Sequence, residues 1–274
     1  MPQTFYEVVW IFIIYAFIGW CTEVAYAATE RGIFINRGFL NGPYCPIYGC
    51  GVLIVVITLT PIKDNILILY AGSFLLTSIL EFITGFVMEK IFHNKWWDYS
   101  DKPFNIMGYV CLKFSLMWGL ACTFIMIVIH PIIYGFIRII PHMLGAVLIF
   151  IVMICFAVDF AVTVSTIVKF NKELKLMNEI AAKLKVISNE IGENVYENVM
   201  TTLERRENFS EFIEKAKLRR EQEDLVKKFH ELYEKKSKIT GRLMKAFPGM
   251  KSIENDEILQ KLKKWNVQRV KRKK

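Results

Sequence analysis

The feature that most constrains this chain is a series of apolar runs within residues 1–168, approaching or exceeding the roughly 20 helical residues, at about 1.5 Å each, that cross a hydrocarbon core. They extend from Phe5 to Ala28, Pro46 to Ile62, Ile66 to Phe92, Ile106 to His130 and His142 to Phe170. The expected fold class is therefore all-α: a polytopic transmembrane helix bundle of about five spans over residues 1–168, followed by a helical, coiled-coil tail over 169–274. The stretch from Pro131 to Pro141 is too short to span and carries Arg138, so it reads as an interfacial or re-entrant turn. No Lys or Arg precedes Arg31, and a cleavable signal peptide would need a basic start, so the first run reads as a retained span.

Charge separates the two parts. Residues 1–168 hold 8 Lys/Arg against 9 Asp/Glu, whereas the remaining residues hold 27 against 17. In the connections, Arg31 and Arg37 lie in the first, Lys90, Lys95 and Lys102 in the third, but only Lys63 and Arg138 in the second and fourth. Basic residues accumulate on the cytoplasmic side of a membrane. Five spans then put the N-terminus outside and the tail in the cytoplasm of a multi-pass plasma-membrane protein.

The tail carries two seams of alternating four- and three-residue spacing. One is Phe170, Leu174, Met177, Ala181, Leu184, Ser188 and Ile191; the other is Leu225, Phe229, Leu232, Lys236, Ile239, Leu243 and Ala246. Gly192 is expected to end the first helix, Asn208 with Glu211 to cap the second, and Phe247-Pro248-Gly249 to stop it. The basic end, with Arg269, Lys271, Arg272, Lys273 and Lys274, reads as a solvated terminus or as a contact with anionic lipid. No RNA motif or zinc-finger spacing accompanies it, so no specific nucleic acid is expected.

The six cysteines and four histidines show neither a CxxC pair nor metal-ligand spacing, so the cysteines read as packing residues and no metal or cofactor is expected. Intramembrane charge is more informative, because it is costly unless it faces protein or water. Glu23, Glu81, Glu89, Lys113 and Asp159 are the candidates for a substrate or ion pathway. Glu81, Gly85 and Glu89 share one helix stripe. The alternative is structural: snorkelling carboxylates at the span ends, and a static ion pair of Glu81 with Lys113.

Two connections combine fixed backbone geometry with polar groups. The first, Arg37 to Gly51, contains Asn41, Gly42, Pro43, Tyr44, Pro46 and Tyr48 in the run NGPYCPIY. The second, Glu89 to Asn105, contains Trp96, Trp97, Asp98, Tyr99, Asp101 and Asn105. Under the expected topology both face the same side, where they form either a pocket or docking site or an interfacial aromatic anchor.

GFLNGPYCPIYG, the stretch from Leu80-Glu81-Phe82 to Met88-Glu89-Lys90, WWDYSDKPFN, and Gly108-Tyr109-Val110-Cys111-Leu112 together resemble the bacterial family described as Putative ABC-transporter type IV. The resemblance covers roughly residues 5–168, in order and with family-like spacing, and leaves the tail uncovered. It implies a permease-like integral membrane protein without indicating a substrate. The chain has no GxxxxGK[ST] loop to cradle nucleotide phosphates, and Pro248-Gly249-Met250-Lys251-Ser252 imitates it only superficially. The expected function is a permease subunit that depends on a separate nucleotide-binding ATPase, and five modest spans favour a homodimer. Two other classes stay open. One is a scaffold presenting the coiled tail to a cytoplasmic partner. The other is a membrane-embedded enzyme using Glu23, Glu81, Glu89, Asp98 or Asp101 as acid and base on a lipid-like substrate, although no nucleophile or metal motif supports an enzyme.

Overall fold

A computed structural model describes residues 2–201, 209–234 and 238–272, with side chains for 2–30, 32–189, 217–232 and 240–264. The described residues form two compact units, one of residues 1–167 with 239–251, the other of 168–238 with 252–274.

The first unit is a bundle. Helix α1 (Phe5–Arg31) starts at a reciprocal cap in which Glu7 N–H donates to Thr4 and the Thr4 N–H to Glu7. Helix α2 (Pro46–Leu59) opens on Pro46, where the missing N–H costs nothing, and a 3-10 turn extends it to Ile62. Helix α3 (Ile66–Phe92) is capped by Asn65, whose Oδ1 accepts from the N–H groups of Leu67 and Ile68. Helix α4 (Leu112–Phe124) continues through a π-helical stretch, Ile125–Ile129, into α5 (His130–Ile139). Helix α6 begins at His142 and extends to Thr201.

Among the described residues, four helical segments are long and apolar enough to cross a membrane: Phe5–Glu30, Ile66–Phe92, Leu112–Ile139 and His142–Asn189. The expected second span, Pro46 to Ile62, falls short of that length. Pro46–Ile62 is a shorter apolar helix, about 26 Å long at the ordinary helical rise. Much of it is buried by its neighbours: Val52, Val55, Val56 and Leu59 are core residues together with Ile11, Tyr15, Leu69 and Cys122. Gly19 faces Tyr48, and Gly49 faces the backbone of Phe12, so α1 and α2 approach at positions where any Cβ would collide.

The stretch from Pro131 to Pro141 corrects an expectation. It is not a re-entrant turn; its first nine residues are helical, and they complete the span that starts at Leu112. Pro131 has no N–H to donate, and its ring crowds the preceding turn. The wider π-helical turns just before it accommodate that defect without ending the helix. Residues Ile106 to Cys111, expected as the start of this span, instead make β2 (Asn105–Ile106) and β3 (Val110–Cys111), following the short strand β1 (Asn94–Lys95). β2 and β3 pair antiparallel, Asn105 opposite Cys111 and Ile106 opposite Val110.

In the second unit α6 does not end at Gly192, because a helix tolerates one interior glycine at about 1 kcal/mol. Its buried positions begin as expected with Phe170, Leu174 and Met177, then move to Ile180 and Ile187 in place of Ala181 and Ser188. The larger apolar side chains gain more from leaving water. Helix α7 (Phe209–Glu234) keeps Leu225, Phe229 and Leu232 less exposed than their neighbours. Helix α8 (Lys238–Ala246) stops before Phe247-Pro248-Gly249, and α9 spans Asp256–Arg272. The proposed cap at Asn208 and the side chains of Arg269, Lys271, Arg272, Lys273 and Lys274 lie outside the described residues.

Candidate functional site

The connections between α1 and α2 and between α3 and α4 meet at one end of the bundle. The Phe39 ring lies 5.7 Å from Phe92 and 5.1 Å from Trp96. Trp96 is buried against protein, with Phe247 at 5.2 Å, and so is not a headgroup-level anchor. Each connection holds one intramembrane carboxylate, in opposite ways.

Asp159 of α6 binds the first connection. Its Oδ1 accepts from the Asn41 backbone N–H at 3.2 Å and from Asn41 Nδ2 at 2.8 Å, and its Oδ2 from the Gly42 N–H at 2.7 Å. Thr163, one turn on, donates to Oδ1 at 3.3 Å and accepts from Asn41 Nδ2 at 3.0 Å. Non-repetitive backbone leaves N–H groups without helical partners, and an ionised carboxylate takes several at once.

The loop's carbonyls are met from the other side by Arg242 of α8, a residue that sequence reasoning missed. Its Nη1 donates to Gly38 O at 2.6 Å, its Nη2 to Phe39 O at 2.9 Å and its Nε to Asn41 Oδ1 at 3.2 Å. The guanidinium fork fits several acceptors at once. Nothing in the sequence separates Arg242 from the other basic tail residues, or from a seam that assigned its neighbours to a coiled coil. Asn36 completes the loop: its Nδ2 donates to Asn41 O at 2.8 Å and its Oδ1 accepts from Trp20 Nε1 at 2.9 Å. Tyr44 packs on Phe156 at 5.9 Å, while Pro43 is exposed.

Glu81 of α3, 8 % exposed, is far less supported. Its Oε1 accepts from the Tyr99 hydroxyl at 3.3 Å, and its Oε2 is buried with no hydrogen-bond partner. The expected pair with Lys113 is absent among the described residues: no ion pair joins them, and Lys113 is exposed at the first turn of α4. Spans three and four do not align those depths, because α4 starts only at Leu112. Tyr99 reaches Glu81 by folding back onto the bundle, its ring stacked on Phe114 at 4.9 Å. Burial, then the carboxylates of Glu81 and Glu23 and the Cys111 thiol, push the Tyr99 phenol well above its ordinary range. Glu23 itself accepts from Tyr48 Oη at 2.6 Å and pairs with Arg37 at 3.2 Å. Two helical turns from Glu81, Glu89 stands beside Tyr109.

The connection that carries Tyr99 is tied down by its own hydrogen bonds. Trp97 Nε1 donates to Tyr109 O at 2.8 Å, and Asn105 Nδ2 to Lys102 O at 2.8 Å. Gly108 has φ +75°, and a Cβ there would strike Asp98 and Ser100. Asp98 pairs with Lys251 at 2.7 Å. Partial burial raises its carboxyl, but hydrogen bonds from Lys251 and Ser100 and the nearby Lys95 outweigh this and hold it well below the usual carboxylate range. Asp101 is exposed.

Residues 10–164 match the family model described as Putative ABC-transporter type IV. That span contains Glu23, Asn41, Glu81, Tyr99 and Asp159, and stops short of Arg242. No solved structure matches the chain.

Proposed function

The chain belongs to the Putative ABC-transporter type IV family, and from that premise we propose that it is the membrane-spanning permease subunit of an ABC-type transporter, driven by a separate ATPase. The observation that carries this reading is the family match itself, set beside the lack of any phosphate-cradling GxxxxGK[ST] loop in the sequence. In this reading the energy comes from the separate ATPase. The packed aromatic cluster of Phe39, Trp96 and Phe247 at the connection end suits a subunit that transmits force, because close-packed side chains move as a unit.

The first and third connections carry five basic residues, so the connection end and the tail are proposed to face the cytoplasm. In a cysteine-free background, a cysteine at Lys102 should resist an impermeant reagent added outside intact cells, and one at Thr4 should react. The reverse pattern refutes this orientation.

Gentle detergent purification from the native cell, with identification of what copurifies, tests the permease reading. An ATPase at a fixed ratio supports it. A second reading, a scaffold for a cytoplasmic partner, is favoured by α6, which runs without interruption from a membrane-spanning segment to Thr201. A coiled-coil partner without ATPase would move the assignment there.

A further inference from the structure

Glu81 lies eleven residues, about 16 Å, from the end of α3 and is buried inside the bundle. An ionised carboxylate in such a place requires a cation or several donors. Asp159 has four donors in the same bundle. Glu81 has one long bond from a phenol, and an oxygen with none. The neighbouring groups do not supply what is missing. Tyr99 and Cys111 come from the connection and β3. From α1, Glu23 is itself acidic, and the Arg37 that could neutralise Glu81 is committed to Glu23, as is Tyr48 of α2. Glu89 adds a second carboxylate on the α3 stripe, beside Tyr109. Lys113 of α4 is exposed, and Lys95 of β1 donates to Met107 O.

We propose that Glu81 is a proton-binding site: its carboxyl is protonated in the arrangement described, and it exchanges that proton with water at the connection end while the Tyr99 hydroxyl holds the carboxyl in place. The ligand is a proton rather than a multivalent cation, because no three His, Cys, Asp or Glu side chains among the described residues are placed to share a metal ion. On release the O–H bond at Glu81 breaks, the proton passes to water admitted at the connection end, and the carboxylate left behind keeps the Tyr99 hydroxyl as its donor. Reprotonation reverses the step, with no other reactant. Tyr99 is a positioning residue here, since its phenol stays protonated throughout. The inference goes beyond the permease reading and does not depend on it; copurification of an ATPase bears on one and not on the other.

The full chain in liposomes is examined by infrared spectroscopy at neutral pH, native against Glu81→Gln. A protonated-carboxyl stretching band present in the native protein and lost in the variant is the expected result. An unchanged band overturns the proposal. Should the variant fail to insert, dicyclohexylcarbodiimide, an apolar reagent that attacks protonated carboxyls, is applied to the native protein and the site is read by mass spectrometry. Glu81 should be modified at neutral pH, with labelling falling about tenfold per pH unit once the carboxyl ionises. Tyr99→Phe, which removes the donor to the ionised form, should label at least as strongly. A Glu81 that stays unmodified from acid to alkaline pH would be ionised throughout, which sinks the proposal.

Discussion

Asp159 and Glu81 are both single carboxylates within apolar helices, yet one receives four donors and the other one. The difference separates a structural charge from a chemically available one. Around Asp159 each partner is itself held: Asn41 by Arg242, Asn36 and Thr163, and Arg242 by the carbonyls of Asn36, Gly38 and Phe39. Removing any member leaves half-buried polar atoms unmatched, which costs more than losing an exposed contact. Around Glu81 there is little to remove.

The largest effect should follow from Asp159→Ala, which orphans two backbone N–H groups and the Asn41 amide. A loss of about 3 kcal/mol is expected, read as a lowered unfolding temperature in detergent. A loss below about 1 kcal/mol would erase the contrast with Glu81, since a fully bonded carboxylate cannot be that dispensable.

Arg242→Ala should rank second, at about 2 kcal/mol, and its signature is local. Backbone amides of Asn36 to Gly42 should exchange hydrogen faster while those of α3 are unchanged. Lysine cannot reproduce a planar fork of donors, so Arg242→Lys should recover only part of the protection. Full recovery would show that charge near Asp159, and not the carbonyl contacts, holds the loop.

Glu81→Gln keeps an acceptor for Tyr99 and should change stability by less than about 1 kcal/mol. A loss comparable to that of Asp159→Ala would mean that Glu81 is ionised and has a partner, and the two carboxylates would then belong to one class.

The smallest effect concerns Asp98, whose partner Lys251 is more than half exposed. Its folded carboxyl is held below the unfolded value, so the contribution is complete above about pH 4 and fades as acid protonates it. Less than about 1 kcal/mol should depend on it. Protease cleavage near Lys251, compared between native protein and Asp98→Asn, should differ at neutral pH and converge in strong acid.

Much of this was legible in the sequence, and what was not has identifiable causes. The apolar runs gave the helices, because the bilayer admits few alternatives to a helix with all its backbone bonds internal. Glu81, Asp159 and both connections stood out because charge and fixed-φ residues are conspicuous in apolar surroundings. Reading Pro131 as a terminus failed because proline signals a backbone defect without saying whether neighbouring turns absorb it. The seam from Phe170 shifts to Ile180 and Ile187 at the positions of Ala181 and Ser188 because side-chain size, which spacing does not carry, decides what is buried; Leu184 stays half-buried, and the side chain of Ile191 lies outside the described residues.

Sequence by itself determined a membrane protein, its family-like segment and the presence of carboxylates within apolar segments, since these depend on local composition and on the cost of charge in an apolar medium. Tertiary structure alone decided which carboxylate is satisfied. Asn41 and Asp159 are 118 residues apart, Asn41 and Arg242 201, and Glu81 is reached by a tyrosine from a connection that doubles back. Hydrogen-bond partners are fixed by which backbone groups a fold leaves unpaired and brings within about 3 Å, and no spacing along a chain encodes that.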